Sequence, residues 1–351
     1  MNVSRRLLII RILLFVGTAI SMFFVPWPIV KTWIKPLPKT VAEQVNAAAS
    51  DNFDGIIVYI NQTGEPPAFY AAGWHNRAEK IAADPHALFK IASIGKLYHA
   101  VAITKLVDEG LLSIEATLLD YFPELGGKIE YADRITLRML IQHRSGIPNF
   151  TDTPDFWNNP TKDSKAALKL IEGLPAEFEP NKRYQYSNTN YLLLGELIKK
   201  VTKSDSEFEY IKQSILLPLG LKNTYGSLDS IDMNRLMSGY YVGIEEDIKT
   251  TNYGSMIATA EDVGIFLRAL NDGSIFNESE KQLYATLYTY NHTGLIPGYQ
   301  SIAKYHSEID AVVIQFVNTT DFSGYTWSES EVIYNRIVKI WKRKHRQKRP
   351  L

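Results

Sequence analysis

Residues 89–98, Phe89-Lys90-Ile91-Ala92-Ser93-Ile94-Gly95-Lys96-Leu97-Tyr98, put a serine and a lysine three positions apart where a helical pattern begins. Over 93–109, Val101, Ile103, Leu106 and Val107 are apolar at helical spacing, and Gly110 closes the segment. Positions i and i+3 share a helix face, so Lys96 lies one turn from Ser93. A serine hydroxyl is a weak nucleophile until a base takes its proton, and an unprotonated amine within reach can do so. A helix start also favours developing negative charge. The spacing alone is cheap. It recurs at Ser301-Ile302-Ala303-Lys304, in a segment that alternates like a strand, where i and i+3 point to opposite faces. In isolation, Ser93 reads better as an N-capping serine beside a solvated lysine.

Outward from this stretch, DGIIVYI and AFYAAGW read as two strands of a hairpin joined by NQTGEPP, and TVAEQVNAAA before them as a helix. Residues 111–230 are mostly helices and turns. SIAKYHSEIDAVVIQFVNTT returns to strands, and SESEVIYNRIVKIW is a closing helix with acids at its start and bases at its end. Strands at both ends with helices between predict one sheet assembled from distant segments. Two further stretches carry polar chemistry. In FEPNKRYQYSNTNYLLLGELIKKV (178–201), Tyr186 and Asn188 stand two apart in an extended turn and can point into one cleft. The phenol can relay a proton and the carboxamide can hold a carbonyl; the alternative is a loop that caps the helix beginning near Tyr191. In NHTGLIPGYQS (291–301), His292, Thr293 and Gly294 precede the late strands, and a glycine on a strand edge lets a substrate lie close to the backbone. Alone, His292 reads as an ordinary loop histidine.

The 351 residues hold 38 Lys+Arg, 38 Asp+Glu and no Cys, with 45% hydrophobic residues. That excludes a disordered or fibrous chain, a disulfide scaffold and a thiolate metal site; no cofactor or metal is expected. The zero net charge is a sum of unlike parts. Residues 1–39 carry +6 and residues 339–351 carry +7, with no acid in either, so the 299 residues between them carry −13. An acidic body argues against nucleic-acid binding. At the front, Arg5, Arg6 and Arg11 precede the uncharged run ILLFVGTAISMFFV (12–25), and the apolar stretch continues through WPIV to Val30, about the length that spans a bilayer. Positive charge before the run predicts a cytoplasmic N-terminus and an exported body. No small-x-small site follows promptly, so an uncleaved anchor is favoured over a cleaved signal. The expected division is an anchor and linker over 1–39, a catalytic domain over 40–341 and a basic tail over 342–351. That tail, KRKHRQKR, would rest on anionic headgroups at about 1 kcal/mol per basic residue.

Taken together, S-x-x-K at Ser93–Lys96, Y-x-N at Tyr186–Asn188 and H-T-G at His292–Gly294, in that order, resemble the serine β-lactamase-like family. Its members include class C β-lactamases, D-Ala-D-Ala carboxypeptidases, D-aminopeptidases and related esterases. LIQHRSGIPNF (140–150), LPLGLKNTYGS (217–227) and GSMIATAEDVGIFLRAL (254–270) resemble that family too, so the likeness covers roughly residues 40–340. The resemblance implies an antiparallel sheet flanked by helices, plus an all-helical lobe. It implies that Ser93 forms an acyl-enzyme, that Lys96 and Tyr186 share the general-base work, and that Asn188 binds the substrate carbonyl. The amides of Ser93 and Leu295 would hold the oxyanion, with His292 and Gly294 lining the substrate strand and His143 structural.

Three departures bear on the substrate. Many relatives have Lys where His292 stands, and a histidine is largely neutral at pH 7, which disfavours strong penicillin turnover and favours esters, amides or small D-amino-acid or cell-wall peptides. Leu295 replaces a smaller residue and narrows the cleft. Asn181 takes a turn position often held by Gly, a conformation Asn tolerates. Asn291-His292-Thr293 is also a glycosylation sequon on the catalytic strand; a glycan there would block the cleft, which points to a bacterial envelope rather than a glycosylating pathway. The leading expectation is a membrane-anchored serine acyl hydrolase facing the cell exterior. The alternative is a non-catalytic module of the same fold that binds cell-wall peptides.

Overall fold

The computed structural model describes residues 3–51 and 53–346. Helices α1 (Val3–Phe23), α2 (Trp27–Ile34) and α3 (Val41–Asp51) come first. The hairpin β1 (Gly55–Gln62) and β2 (Ala68–Asn76) follows, then the two-residue strands β3 (Ile81–Ala82) and β4 (Phe89–Lys90). A 3-10 turn over Ala92–Ile94 leads into α4 (Gly95–Asp108). A helical stretch carries α5 (Leu118–Tyr121), α6 (Leu137–Ile141), α7 (Ser164–Lys169), α8 (Asn188–Thr202) and α9 (Glu207–Ile211). The short strands β5 (Thr224–Tyr225), β6 (Tyr240–Tyr241) and β7 (Ile257–Ala258) then precede α10 (Ala260–Asp272) and α11 (Glu278–Leu287). Strands β8 (His292–Ile296), β9 (Tyr299–His306), β10 (Ala311–Val317) and β11 (Thr319–Thr320) lead to α12 (Thr326–Arg346). The chain divides into two compact units, residues 45–320 and a smaller one joining residues 1–44 to 321–351.

In the larger unit the apolar runs decide which strands lie in the middle. IIVYI and AVVIQFV have no polar alternation, the mark of strands covered on both faces. They form β1 and β10, neighbours at the centre of a six-stranded sheet of order β3-β2-β1-β10-β9-β8. Every pair in it is antiparallel, with Tyr59 opposite Ile314 and Ala303 opposite His292. The expected hairpin and late strands are therefore present, and sequence-distant β1 and β10 join them. Helix α10 packs across β1, β9 and β10. Thr259 caps its start by accepting from the Asp262 amide at 3.2 Å, and Gly273 ends it at φ 80°. Gly264 in this helix lies against the Tyr59 ring, where a side chain would collide. With strand β8 at one edge and α4 rising from the 3-10 turn beside it, the sheet carries the polar stretches of the sequence into one region.

In the smaller unit, α1 exposes its apolar residues along its length, and Arg6–Phe23 has a mean hydropathy of 2.0, long and apolar enough to cross a membrane or serve as a signal sequence. The apolar stretch does not continue to Val30 as one helix. It breaks before Pro26, and the separate helix α2 starts at Trp27. α2 packs against α12. The Arg336 guanidinium donates to the carbonyls of Lys35 and Pro36, each at 2.8 Å, and to Gln44 Oε1 at 2.7 Å. A cation thus satisfies the exposed carbonyls at the end of α2. The basic tail also differs from expectation, because Lys342, Arg343 and Lys344 belong to α12 rather than following it; Lys348 and Arg349 lie outside the described residues.

Candidate active site

Phe89 fixes the approach to Ser93. Its ring stacks on Phe316 of β10 at 4.5 Å and meets Tyr299 of β9 edge-on at 4.9 Å. The next residue, Lys90, is buried and donates to the Thr251 carbonyl at 2.7 Å; burial holds its amine down to about 7. Ala92 then takes a left-handed conformation (φ 50°), a strain of order 1 kcal/mol for a residue with a Cβ. Its amide is held by Ser255 Oγ at 2.8 Å. This turn delivers Ser93 to the base of α4.

Two groups converge on Ser93 Oγ. Lys96 Nζ donates to it at 3.1 Å and Tyr186 OH at 2.7 Å. Ser93 makes no N-capping hydrogen bond, so the capping alternative is not what the fold uses. The Lys96 amine, almost wholly buried, also donates to Asn188 Oδ1 at 2.8 Å and lies 5.0 and 5.5 Å from the ring centres of Tyr186 and Tyr191. Asn188 opens α8, and its own side chain is fixed from a second loop: its Nδ2 donates to Thr151 Oγ1 at 3.0 Å and its amide to Asn149 Oδ1 at 2.9 Å. The second serine-lysine pair behaves differently. Ser301 is buried on β9 and donates to the Ile91 carbonyl at 2.9 Å.

Strand β8 is the free edge of the sheet and packs against the turn that carries Ser93. Gly294 also has a reason within the fold itself. Its backbone lies so close to that turn that a Cβ would meet the Ile91 carbonyl at 2.5 Å and the Ala92 Cβ at 2.9 Å, with Ser301 Oγ also in the way. The glycine admits the turn that carries Ser93. Leu295 beside it turns its side chain outward, 36% exposed, and pairs with Gln300. His292 Nε2 is 2.9 Å from Tyr288 OH, and its Nδ1 faces the Thr293 carbonyl at 2.5 Å. Burial, and then the charge of Lys96, hold this imidazole down to about 4, so it is neutral at pH 7. An open pocket of about 510 Å³ lies beside it, bordered by Tyr184, Tyr288, Thr286 and Lys304. Asn291 turns its carboxamide oxygen to the Tyr305 amide at 2.6 Å.

His143 is buried and stacks on Tyr186 at 4.4 Å. Its Nδ1 accepts from the Ser187 amide at 3.2 Å, which assigns the proton to Nε2, an atom with no hydrogen-bond partner among the described residues. It therefore holds the Tyr186–Asn188 turn by ring stacking and through Nδ1, which also lies 3.4 Å from Asn190 Nδ2. Burial, and then the charges of Lys96 and His292, lower it to about 3. Asn181 adopts the left-handed conformation expected of it (φ 65°). Asn149, Thr151, Ser255 and Tyr288 carry no signal of their own in the sequence, although Asn149 lies in LIQHRSGIPNF and Ser255 in GSMIATAEDVGIFLRAL.

The model of the family described as Beta-lactamase matches residues 34–299. The chain belongs to the beta-lactamase family. Among characterised relatives, it is 33% identical over 166 residues to penicillin-binding protein 4* of Bacillus subtilis (strain 168), covering 44% of this chain and 34% of that protein. It is 32% identical over 155 residues to Protein flp of Staphylococcus aureus (strain MW2), covering 43% and 30%. The match thus spans about a third of those relatives' length. In fold it is similar to a D-amino acid amidase from Ochrobactrum anthropi SV3, with a TM-score of 0.76 and 21% identity over 87% of this chain and 98% of that one. It is also similar to a penicillin binding protein from Bacillus halodurans, with a TM-score of 0.70 and 23% identity over 84% and 98%.

Two expectations follow for this beta-lactamase family member. Gly294→Ala should push β8 away from the turn that carries Ser93, costing about 1–3 kcal/mol of stability in urea melts and at least about tenfold in kcat/KM for any substrate the wild type turns over. An unchanged rate would separate β8 from catalysis. The second concerns pH. A histidine lowered on folding binds fewer protons than in the unfolded chain, so stability is highest above pH 6.5 and falls as the pH drops towards about 3. The urea midpoint should decline across that window, and His143→Asn should flatten the decline.

Proposed function

We propose that the chain is a serine acyl hydrolase in which Ser93 attacks a carbonyl carbon and forms an acyl-enzyme. One observation carries this reading: a single serine oxygen lies within hydrogen-bond reach of both an amine and a phenol, 3.1 Å from Lys96 Nζ and 2.7 Å from Tyr186 OH. As the Oγ–C bond forms, the hydroxyl proton passes to the Lys96–Tyr186 pair. The same pair returns it to the departing amine or alcohol as the C–N or C–O bond breaks. Water then adds to the ester carbonyl, the pair again moving its proton, and Ser93 is freed. Asn188, fixed by Lys96, Thr151 and Asn149, holds the substrate carbonyl. The amides of Ser93 and Leu295 accept the negative charge that develops on the oxygen.

His292 supports a choice among substrates. A neutral imidazole at the edge strand offers no cation to a carboxylate, so esters and amides lacking a carboxylate on that side are favoured over β-lactams. D-Amino-acid amides fit this class, and the likeness in fold to a D-amino acid amidase adds weight to it. The apolar helix α1 supports an envelope location, with the body outside the cytoplasmic membrane.

The test is a panel of short-chain nitrophenyl esters, D-amino-acid amides, a D-Ala-D-Ala peptide and a chromogenic cephalosporin. Esters and amides should be hydrolysed fastest, with Ser93→Ala lowering kcat/KM by at least about a thousandfold. His292→Lys should raise the cephalosporin rate relative to the esters. Full activity in Ser93→Ala would end the proposal, and cephalosporin turnover equal to that of esters would end the substrate assignment.

A further inference from the structure

The exposed face of α2 is the wrong way round for a helix in water. Trp33 and Ile34 are 72% and 64% exposed, Trp27 also faces outward, and Thr32 is buried. In sequence Phe23 and Phe24, both exposed, lead into it from α1. Soluble helices turn large apolar side chains inward. Tryptophan and isoleucine with lysine on one short helix, preceded by exposed phenylalanines, are the composition of a segment lying in the headgroup layer of a bilayer. Lys31 and Lys35 are the charged residues here, and no acid occurs before Glu43.

The partner helix has a matching charge. α12 packs against α2, and Arg336 ties the two by its three hydrogen bonds to Lys35, Pro36 and Gln44. Beyond Glu331 the chain holds no further acid. The last turns of α12 carry Lys339, Arg343 and Lys344 on the surface, with Lys344 lying 5.3 Å from the Trp341 ring. Aromatic and basic side chains on a packed helix pair match a lipid surface in both polarity and sign.

We propose that α2 and the last turns of α12 form one docking surface for an anionic lipid bilayer, with α2 lying in the headgroup plane. The surface is separate from the acyl-transfer reading. It also differs from anchoring by α1 alone, which places no demand on where α2 and α12 lie.

The chain has no cysteine, so single introduced cysteines report without background. Full-length protein carrying a spin label at Ile34→Cys would be reconstituted into phosphatidylcholine vesicles with and without phosphatidylglycerol, with the exposed Lys222→Cys as an aqueous reference. In anionic vesicles the label at position 34 should be shielded severalfold from a water-soluble nickel complex and open to oxygen, while the reference stays open to nickel. Removing phosphatidylglycerol, or replacing Lys339, Arg343 and Lys344 by Gln, should restore nickel access severalfold. A second label at Trp33→Cys guards against a local disturbance. Nickel access equal to the reference at both labels would overturn the proposal, and so would shielding that ignores lipid charge.

Discussion

One serine oxygen has to stay within reach of a lysine in the first turn of the helix that follows it and of a tyrosine 93 residues further along the chain. The rest of the larger unit can be understood from that requirement. The lysine comes locally, because the 3-10 turn running into α4 places Nζ near Oγ. The tyrosine does not. It arrives on an extended turn that has to be pinned, and His143 does the pinning from beneath by stacking on the ring and accepting the next amide. Asn188 is pinned in turn from the loop that carries Asn149 and Thr151. A serine–lysine–tyrosine cluster assembled in this way is preorganised, and a site that is rigid before substrate arrives loses less in ordering it.

The turn bearing Ser93 is kept in place at some expense. Ala92 sits in a conformation that a residue with a side chain avoids, held by Ser255 on one side and by the Phe89 stack on the other. Gly294 completes the arrangement by allowing the edge strand to press on the same turn. Edge strands are normally a hazard, because their unpaired amides invite another chain. Here the edge lies beside Ser93, where the proposed reaction would use unpaired amides for an oxyanion. The sheet order explains why these parts meet: β1 and β10 form the covered centre, which leaves β8 at the rim.

Much of this was legible in the sequence, and the remainder follows a pattern. The hairpin, the helix after Ser93 and the late strands are written in local periodicity, and they lie where the apolar spacing put them. The order of the three polar stretches pointed to the family. Contacts between segments far apart in the chain have no local signature. Nothing in Tyr288 announces that it will meet His292, and nothing in Thr151 announces Asn188. Gly294 stands out in the sequence, but only the tertiary packing reveals that its close neighbours are the Ile91 carbonyl, the Ala92 Cβ and Ser301 Oγ. At the front of the chain, the apolar run continues in sequence past Pro26 to Val30, whereas the backbone breaks there and a separate helix begins at Trp27.

The central claim is that Ser93, and no other hydroxyl, carries the acyl group. Trypsin cuts after Lys90 and Lys96, releasing Ile91–Lys96, a hexapeptide in which Ser93 is the sole hydroxyl residue. Treating the intact chain with a fluorophosphonate and mapping the adduct by peptide mass spectrometry reads the claim directly. The account predicts one equivalent of adduct on that hexapeptide and none in Ser93→Ala. An adduct on the peptide containing Ser301, or equal labelling of the Ser93→Ala chain, would contradict it.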